Sequence, residues 1–214
     1  MKTDLHPPLR DDVDGETTTV AAVRHLFRNQ IQMMTSLVGL FGRRLPDGEG
    51  RDAFADLRAR FDAVTFGPPD DVAPDASGRM EVDLAELARR ISRHLDPDFR
   101  HRVAVKGAPI LATPKRAAAV AQIIAELIIE LTRRGFVGHE SGSAEISIEQ
   151  AADGSIAIRL VQTGPAGVTP RRDPSDLGAT IADSLVRSLD GRIDRAASGP
   201  LTTDVFMPPE PTAR

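Results

Sequence analysis

Residues 20–45 read VAAVRHLFRNQIQMMTSLVGLFGRRL. Val20, Val23, Phe27, Ile31, Met34, Val38, Phe41 and Leu45 follow one another at steps of three and four, the repeat of one face of an α-helix. Leu26, Met33, Leu37 and Leu40 form a second apolar set beside it. A helix apolar over so much of its circumference needs more than one neighbour. Asp47, Gly48 and Gly50 interrupt the pattern, and Phe54, Leu57, Phe61 and Val64 resume it. The spacing predicts a second helix folded back antiparallel on the first. Two helices bury too little to stand alone. Two such hairpins from two chains would close a four-helix bundle, so a homodimer is expected.

Outward from this hairpin, which takes residues 17–66, the chain changes character. Residues 1–16 are polar, carry two prolines and read as a flexible tail. Residues 67–79, GPPDDVAPDASGR, have the composition of a linker. In 80–208 helical and strand patterns mix. Leu84, Leu87, Ala88, Ile91 and Leu95 mark a helix, and residues 101–105 alternate as a half-buried strand does. Thr113 and Pro114 suit the N-cap and first turn of a long apolar helix. Alternation returns in 144–148 and 156–160, with Ala152-Asp153-Gly154 as the turn between them. A helix over 178–189 and strands near 192–194 and 203–206 follow, and 209–214 read as a second tail. The fold class is α+β: a dimerising helical hairpin, then an α/β sandwich with helices on one face of a mixed sheet.

The composition excludes several functions. The 214 residues are 41% hydrophobic, ordinary for a globular chain, and contain no Cys. Disulfides, thiolate metal sites and a cysteine nucleophile are therefore ruled out. No window approaches 18 uninterrupted apolar residues, and the acidic start MKTDLHPPLRDDVDGE lacks the apolar core of a signal peptide, so no membrane partner and a cytoplasmic location are expected. The net charge of −4 disfavours a nucleic-acid partner.

One polar stripe crosses the apolar helix. His25, Asn29, Gln32 and Ser36 stand at i, i+4, i+7 and i+11, with Arg24 and Arg28 beside them. A neutral imidazole with a free ring nitrogen is a suitable nucleophile for phosphoryl transfer near neutral pH. Arg24 or Arg28 could stabilise incoming phosphoryl charge. The stretch VRHLFRNQIQ at 23–32, followed by Ser36-Leu37, resembles the phosphoacceptor helix of HWE-like sensor histidine kinases, whose pattern is approximately H-R-x-K-N-x-L-Q-x-x-x-S-L. On that resemblance His25 is the acceptor, with Asn29 and Gln32 at the motif's Asn and Gln. Arg28 stands for the Lys and Leu26 for the Arg.

Three later stretches resemble the ATP-binding half of the same family. Residues 125–131, AELIIEL, are similar to the N-box helix (N-E-L-V-x-N-A). Residues 161–167, VQTGPAG, are similar to the first glycine box (V-x-D-N-G-x-G). Asp176-Leu177-Gly178-Ala179 and 189–193, LDGRI, are similar to the G-L-G-L box and the closing L-G-G-x-L. The resemblance implies a histidine kinase ATPase-type domain, but with departures. Glu130 takes the position of the Mg²⁺-holding Asn. Gln162 and Thr163 stand where an Asp accepts a hydrogen bond from adenine. Asp176 replaces a glycine near the phosphates, and Pro200-Leu201 replaces a Gly-Thr. Glu130 and Asp176 put negative charge where an anionic ligand would bind. Gly164, Gly167 and Gly178 are retained.

A degenerate nucleotide site beside a kept His25-Asn29 face implies a histidine phosphotransferase. His25 would relay phosphoryl groups between receiver-domain aspartates, with Mg²⁺ supplied by the receiver and no cofactor or metal bound by this chain. An upstream hybrid histidine kinase is one source of the group. The alternatives are an active soluble kinase with an atypical ATP site and a non-catalytic scaffold that binds receivers. Leu26, Met33 and Phe54 are candidates either for receiver contacts or for the core. Arg133-Arg134 are read as a solvated helix C-cap, Arg171-Arg172 as a solvated loop, and His94, His101 and His139 as surface residues.

Overall fold

The computed structural model describes residues 12–66, 74–136, 141–164, 176–196 and 199–211, and in the first helix the side chains from Leu26 onward. Helix α1 spans Asp12–Gly42 and α2 Glu49–Thr65, and the two pack on each other as a hairpin. α1 starts inside the stretch expected to be a tail.

The face of α1 that meets α2 is not the apolar stripe alone. A Cβ at Gly42 would lie 3.0 Å from the Cβ of Phe54, and one at Gly39 would lie 2.9 Å from the Arg58 guanidinium. These two glycines let the helices approach. Ile31, Val38 and Leu45 are half-buried near them, but Phe27, Met34 and Phe41 from the same predicted stripe are exposed. Leu26 (60% exposed), Met33 (59%), Leu37 and Leu40 are exposed as well. Glycines carry no weight in a hydrophobic repeat, so the spacing did not show which side of α1 meets α2.

The second unit begins with β1 (Met80–Val82). Asp83 caps α3 (Leu84–Leu95), its carboxylate accepting from the Glu86 amide at 2.9 Å. Then come β2 (His101–Gly107), β3 (Ile110–Ala112) and α4 (Pro114–Glu130). Thr113 accepts from the Arg116 amide at 3.3 Å and Pro114 fills the first turn of α4, as expected. A wider π turn, Leu131–Gly135, continues α4. β4 (Gly142–Gln150), β5 (Ile156–Gln162), α5 (Leu177–Ser188), β6 (Arg192–Arg195) and β7 (Thr202–Met207) complete the unit. The main sheet has the order β2-β4-β5-β7-β6, with β2 and β4 parallel and every other pair antiparallel. β1 and β3 pair separately. Three-residue strands are too short to leave a periodic signal, and β3 had none.

The register stacks one apolar face. Ile146 pairs with Leu160, and Ile148 with Ile158, which in turn pairs with Val205. Helices α3 and α4 cover that face with Leu87, Ile91, Ile123, Ile124 and Ile128, all fully buried. The result is the expected hairpin followed by an α/β sandwich on a mixed sheet. The chain end is less free than its composition suggested. Glu210 accepts hydrogen bonds from the Thr113 hydroxyl and amide, and Arg116 donates to the Pro208 carbonyl.

Candidate functional site

The polar stripe lies on α1. Asn29, Gln32 and Ser36 are exposed and Arg28 half-buried, so a partner protein could reach this face. The Ser36 hydroxyl donates to the Gln32 carbonyl, bonding locally along the helix. Position 25 belongs to the same helix, and its spacing to Asn29 is one turn. The side chains of Arg24 and His25 lie outside the described residues. The exposed apolar arc from Leu26 to Phe41 runs beside the stripe.

The second half of the site is the cleft between α4 and α5, where the resemblance puts a nucleotide. Its charged side chains bind one another. Asp176 caps α5, its Oδ1 accepting from the Ala179 amide at 3.2 Å, and its Oδ2 lies 3.4 Å from Arg134. Arg134 is also 3.8 Å from Glu130. Arg195, from β6, approaches the other oxygen of Glu130 at 3.6 Å and pairs with Asp183 of α5 at 2.7 Å. Glu130 thus sits between two arginines, and its carboxylate is compensated within the protein. Arg134, expected to be solvated, is instead part of this network. Sequence spacing could pair it with Glu130 one turn earlier, but Asp176 and Arg195 arrive only through the fold.

Gln162 has a comparable fate. It is 3% exposed, its Nε2 donates to the Gly135 carbonyl at 2.6 Å, and its Oε1 accepts from the Leu201 amide at 3.2 Å. Two departures from the family pattern, Gln162 and Leu201, therefore meet each other. Thr163 is exposed, and its amide, like that of Gly164, donates to the Ser143 carbonyl. The retained glycines have close neighbours of their own. A Cβ at Gly178 would lie 2.7 Å from Glu126 Oε2, and one at Gly164 would lie 2.5 Å from the Ser143 hydroxyl. Gly167, Arg171, Arg172 and His139 lie outside the described residues.

Sequence reasoning passed over the group that joins the two halves. Glu126 is 4% exposed, and Arg60 of α2 grips both of its oxygens, Nε to Oε1 at 2.7 Å and an amino group to Oε2 at 2.8 Å. The Glu126 hydrogen bonds hold the Arg60 guanidinium above its ordinary pKa. A buried carboxylate that loses such a partner costs about 3–5 kcal/mol. Arg133 pairs with Asp52 and Asp56 of α2, at 2.8 and 2.7 Å. His94 is half-buried, its Nδ1 2.8 Å from Asp62, and is not the surface residue expected. His101 stacks on Phe136 at 4.1 Å, and burial pushes its imidazole below the ordinary value. Both histidines looked solvated because their partners are remote in sequence. Among the described residues no group of three or more His, Asp or Glu is arranged to hold a metal ion, and no helix is long and apolar enough to cross a membrane.

This arrangement is similar to solved structures. The histidine kinase domain of the blue-light-activated histidine kinase EL346 from Erythrobacter litoralis matches with a TM-score of 0.58 and 16% identity, over 84% of this chain and 95% of that one. A second EL346 structure matches with a TM-score of 0.55 and 14% identity, over 85% of this chain and 58% of that one. The fold is that of a histidine kinase core. A bacterial phosphotransferase is also similar, with a TM-score of 0.48 and 11% identity, over 94% of this chain and 98% of its own. No protein-family model matches the chain, and no curated protein matches it by sequence. In that fold α1 and α2 form the helical hairpin and 80–207 the ATPase-like α/β domain.

Proposed function

We propose that the chain is a histidine phosphotransferase. His25 accepts a phosphoryl group from a receiver-domain aspartate and passes it to a second receiver, without ATP. The observation that carries this reading is the closed ion network of Glu130, Arg134, Asp176, Arg195 and Asp183. A nucleoside triphosphate brings charge of the same sign as Glu130 and Asp176. It would have to compete for the arginines those carboxylates hold, and for the helix N-terminus that Asp176 caps. The residues of this cleft do not fit a Mg²⁺-nucleotide. The active-kinase alternative drew on the retained glycines. Gly178 and Gly164 lie close to Glu126 and Ser143 here, so packing inside the chain gives them a role of its own.

Transfer needs little from this chain beyond position. The imidazole nitrogen of His25 attacks the acyl phosphate phosphorus of a docked receiver, and the bond to the aspartate oxygen breaks. The receiver's Mg²⁺ and Arg28 balance charge on the phosphoryl oxygens. The reverse sequence loads the next receiver. The exposed arc of Leu26, Phe27, Met33, Met34, Leu37, Leu40 and Phe41 supports a homodimer closed through α1 as a four-helix bundle.

The test is to mix the protein with a phosphorylated receiver and follow acid-labile label. Wild type takes up label and His25→Ala takes up none. Equal transfer by His25→Ala, or autophosphorylation with Mg-ATP, would overturn the proposal. Receiver binding with no uptake by wild type would favour the scaffold.

A further inference from the structure

In a kinase that phosphorylates its own hairpin from bound ATP, the nucleotide domain has to travel to the histidine. The contacts between the two units of this chain oppose such travel. Along one face of α2, Asp52, Asp56, Arg60 and Ala63 recur at steps of three and four. Ala59 and Ala63 are fully buried, bringing the helix backbone close to the ATPase-like domain. The charged residues of that face each have a partner across the junction. Asp52 and Asp56 hold Arg133, and Arg60 holds Glu126 by two parallel bonds. Further along α2, Asp62 holds His94 of α3, and Arg90 of α3 donates to the Asp62 carbonyl and covers the Phe66 ring at 5.5 Å. Arg58 reaches His94 Nε2 at 3.3 Å while passing over Gly39 of α1. The junction therefore links α3 and α4, with its π turn, to α2 through charges set at fixed geometry.

We propose that Arg60, Glu126, Asp56 and Arg133 are an ionic clamp that fixes the ATPase-like domain on the hairpin, so that the two units move as one body. Glu126 is its centre. It lies on the N-box helix, next to the start of α5, and its second oxygen faces Gly178. A carboxylate that the resemblance assigns to the nucleotide half is thereby turned toward the hairpin. A bidentate pair with one buried member is screened little by salt, so the clamp persists at physiological ionic strength. Receivers that dock on α1 then meet a rigid wall of fixed orientation beside it. This inference does not depend on phosphotransfer and stands or falls with the geometry of the junction.

The chain has no native Cys, so labels can be introduced cleanly. Spin labels at Glu49→Cys on the hairpin and Ala152→Cys on the sheet, both exposed positions, report the distance between the units. The labelled full-length chain is diluted with unlabelled chain so that only distances within one protomer are read. Wild type is expected to give one narrow distribution. Adding Glu126→Gln and Arg133→Gln together should broaden it, and amide exchange in α2 should quicken about tenfold or more while β4 and β5 stay protected. The exchanged pair Arg60→Glu with Glu126→Arg should restore the narrow distribution. A broad wild-type distribution, or an unchanged narrow one in the double variant, would overturn the clamp. If the double variant does not fold, Arg60→Ala alone is read the same way. His25→Ala should leave the distribution unchanged, which separates this result from the phosphotransfer assay.

Discussion

The hairpin and the ATPase-like domain treat their surfaces in opposite ways. The hairpin leaves seven large apolar side chains of α1 between Leu26 and Phe41 in the open and keeps its polar stripe accessible. The ATPase-like domain buries most of its isoleucines and ties Glu130, Asp176 and Asp183 to its own arginines. Apolar side chains left in the open offer area that a second protein could cover, whereas carboxylates matched by arginines inside the fold leave little charge free for a ligand.

The contrast can be broken most sharply on the hairpin. The proposed dimer should run wholly as monomer in sedimentation once Met33→Asp and Leu37→Asp are introduced, with the thermal transition of the ATPase-like domain kept. A dimer that survives both charges would mean the apolar arc is not the interface. In the other region, Ile128→Ala should destabilise the folded chain by about 2–5 kcal/mol in urea titration, since it opens a cavity between α4 and the sheet. A loss below about 1 kcal/mol would mean that this core is looser than its complete burial implies. Asp176→Ala removes a helix cap and one partner of Arg134, for a loss of about 1–2 kcal/mol. Phosphoryl transfer from a receiver should be unchanged in that variant, and a nucleotide titration should stay flat. Saturable ATP binding by Asp176→Ala would show that the network had only masked a competent site.

The smallest effect concerns pH. Burial lowers the His101 imidazole below its ordinary value, so the unfolded chain binds the proton more readily than the folded one. The associated stability is complete above about pH 6.5, the unperturbed value, and falls as pH drops through the lowered value. His101→Phe should flatten the acid side of the melting-temperature profile while leaving the alkaline side in place. An identical acid-side slope in both proteins would assign the loss to other groups.

Much of this molecule was legible in its sequence, and the reasons are local. Thr113-Pro114 announced a helix start because caps act within three residues. The alternation at 144–148 and 156–160 gave the central strands because side chains of a half-buried strand face the core every second residue. The departures at Glu130, Gln162, Asp176 and Leu201 were visible as single residues. Their mutual contacts were not, since Asp176 and Arg195 reach Glu130 and Arg134 from distant parts of the chain. The face of α1 that meets α2 was not legible for a different reason: two glycines lie on it, and an apolar repeat counts only side chains.

By itself, then, the sequence determined the elements, the two-unit order and the polar stripe headed by His25, because helical and strand periods and caps are short-range. Tertiary structure alone decided that Arg60 of the hairpin would meet Glu126, that Arg134 and Arg195 would enclose Glu130, and that Gly39 and Gly42 would lie against α2. Each of those outcomes depends on which surfaces approach, and attraction between charges far apart in the chain takes effect only after packing brings them within a few ångströms.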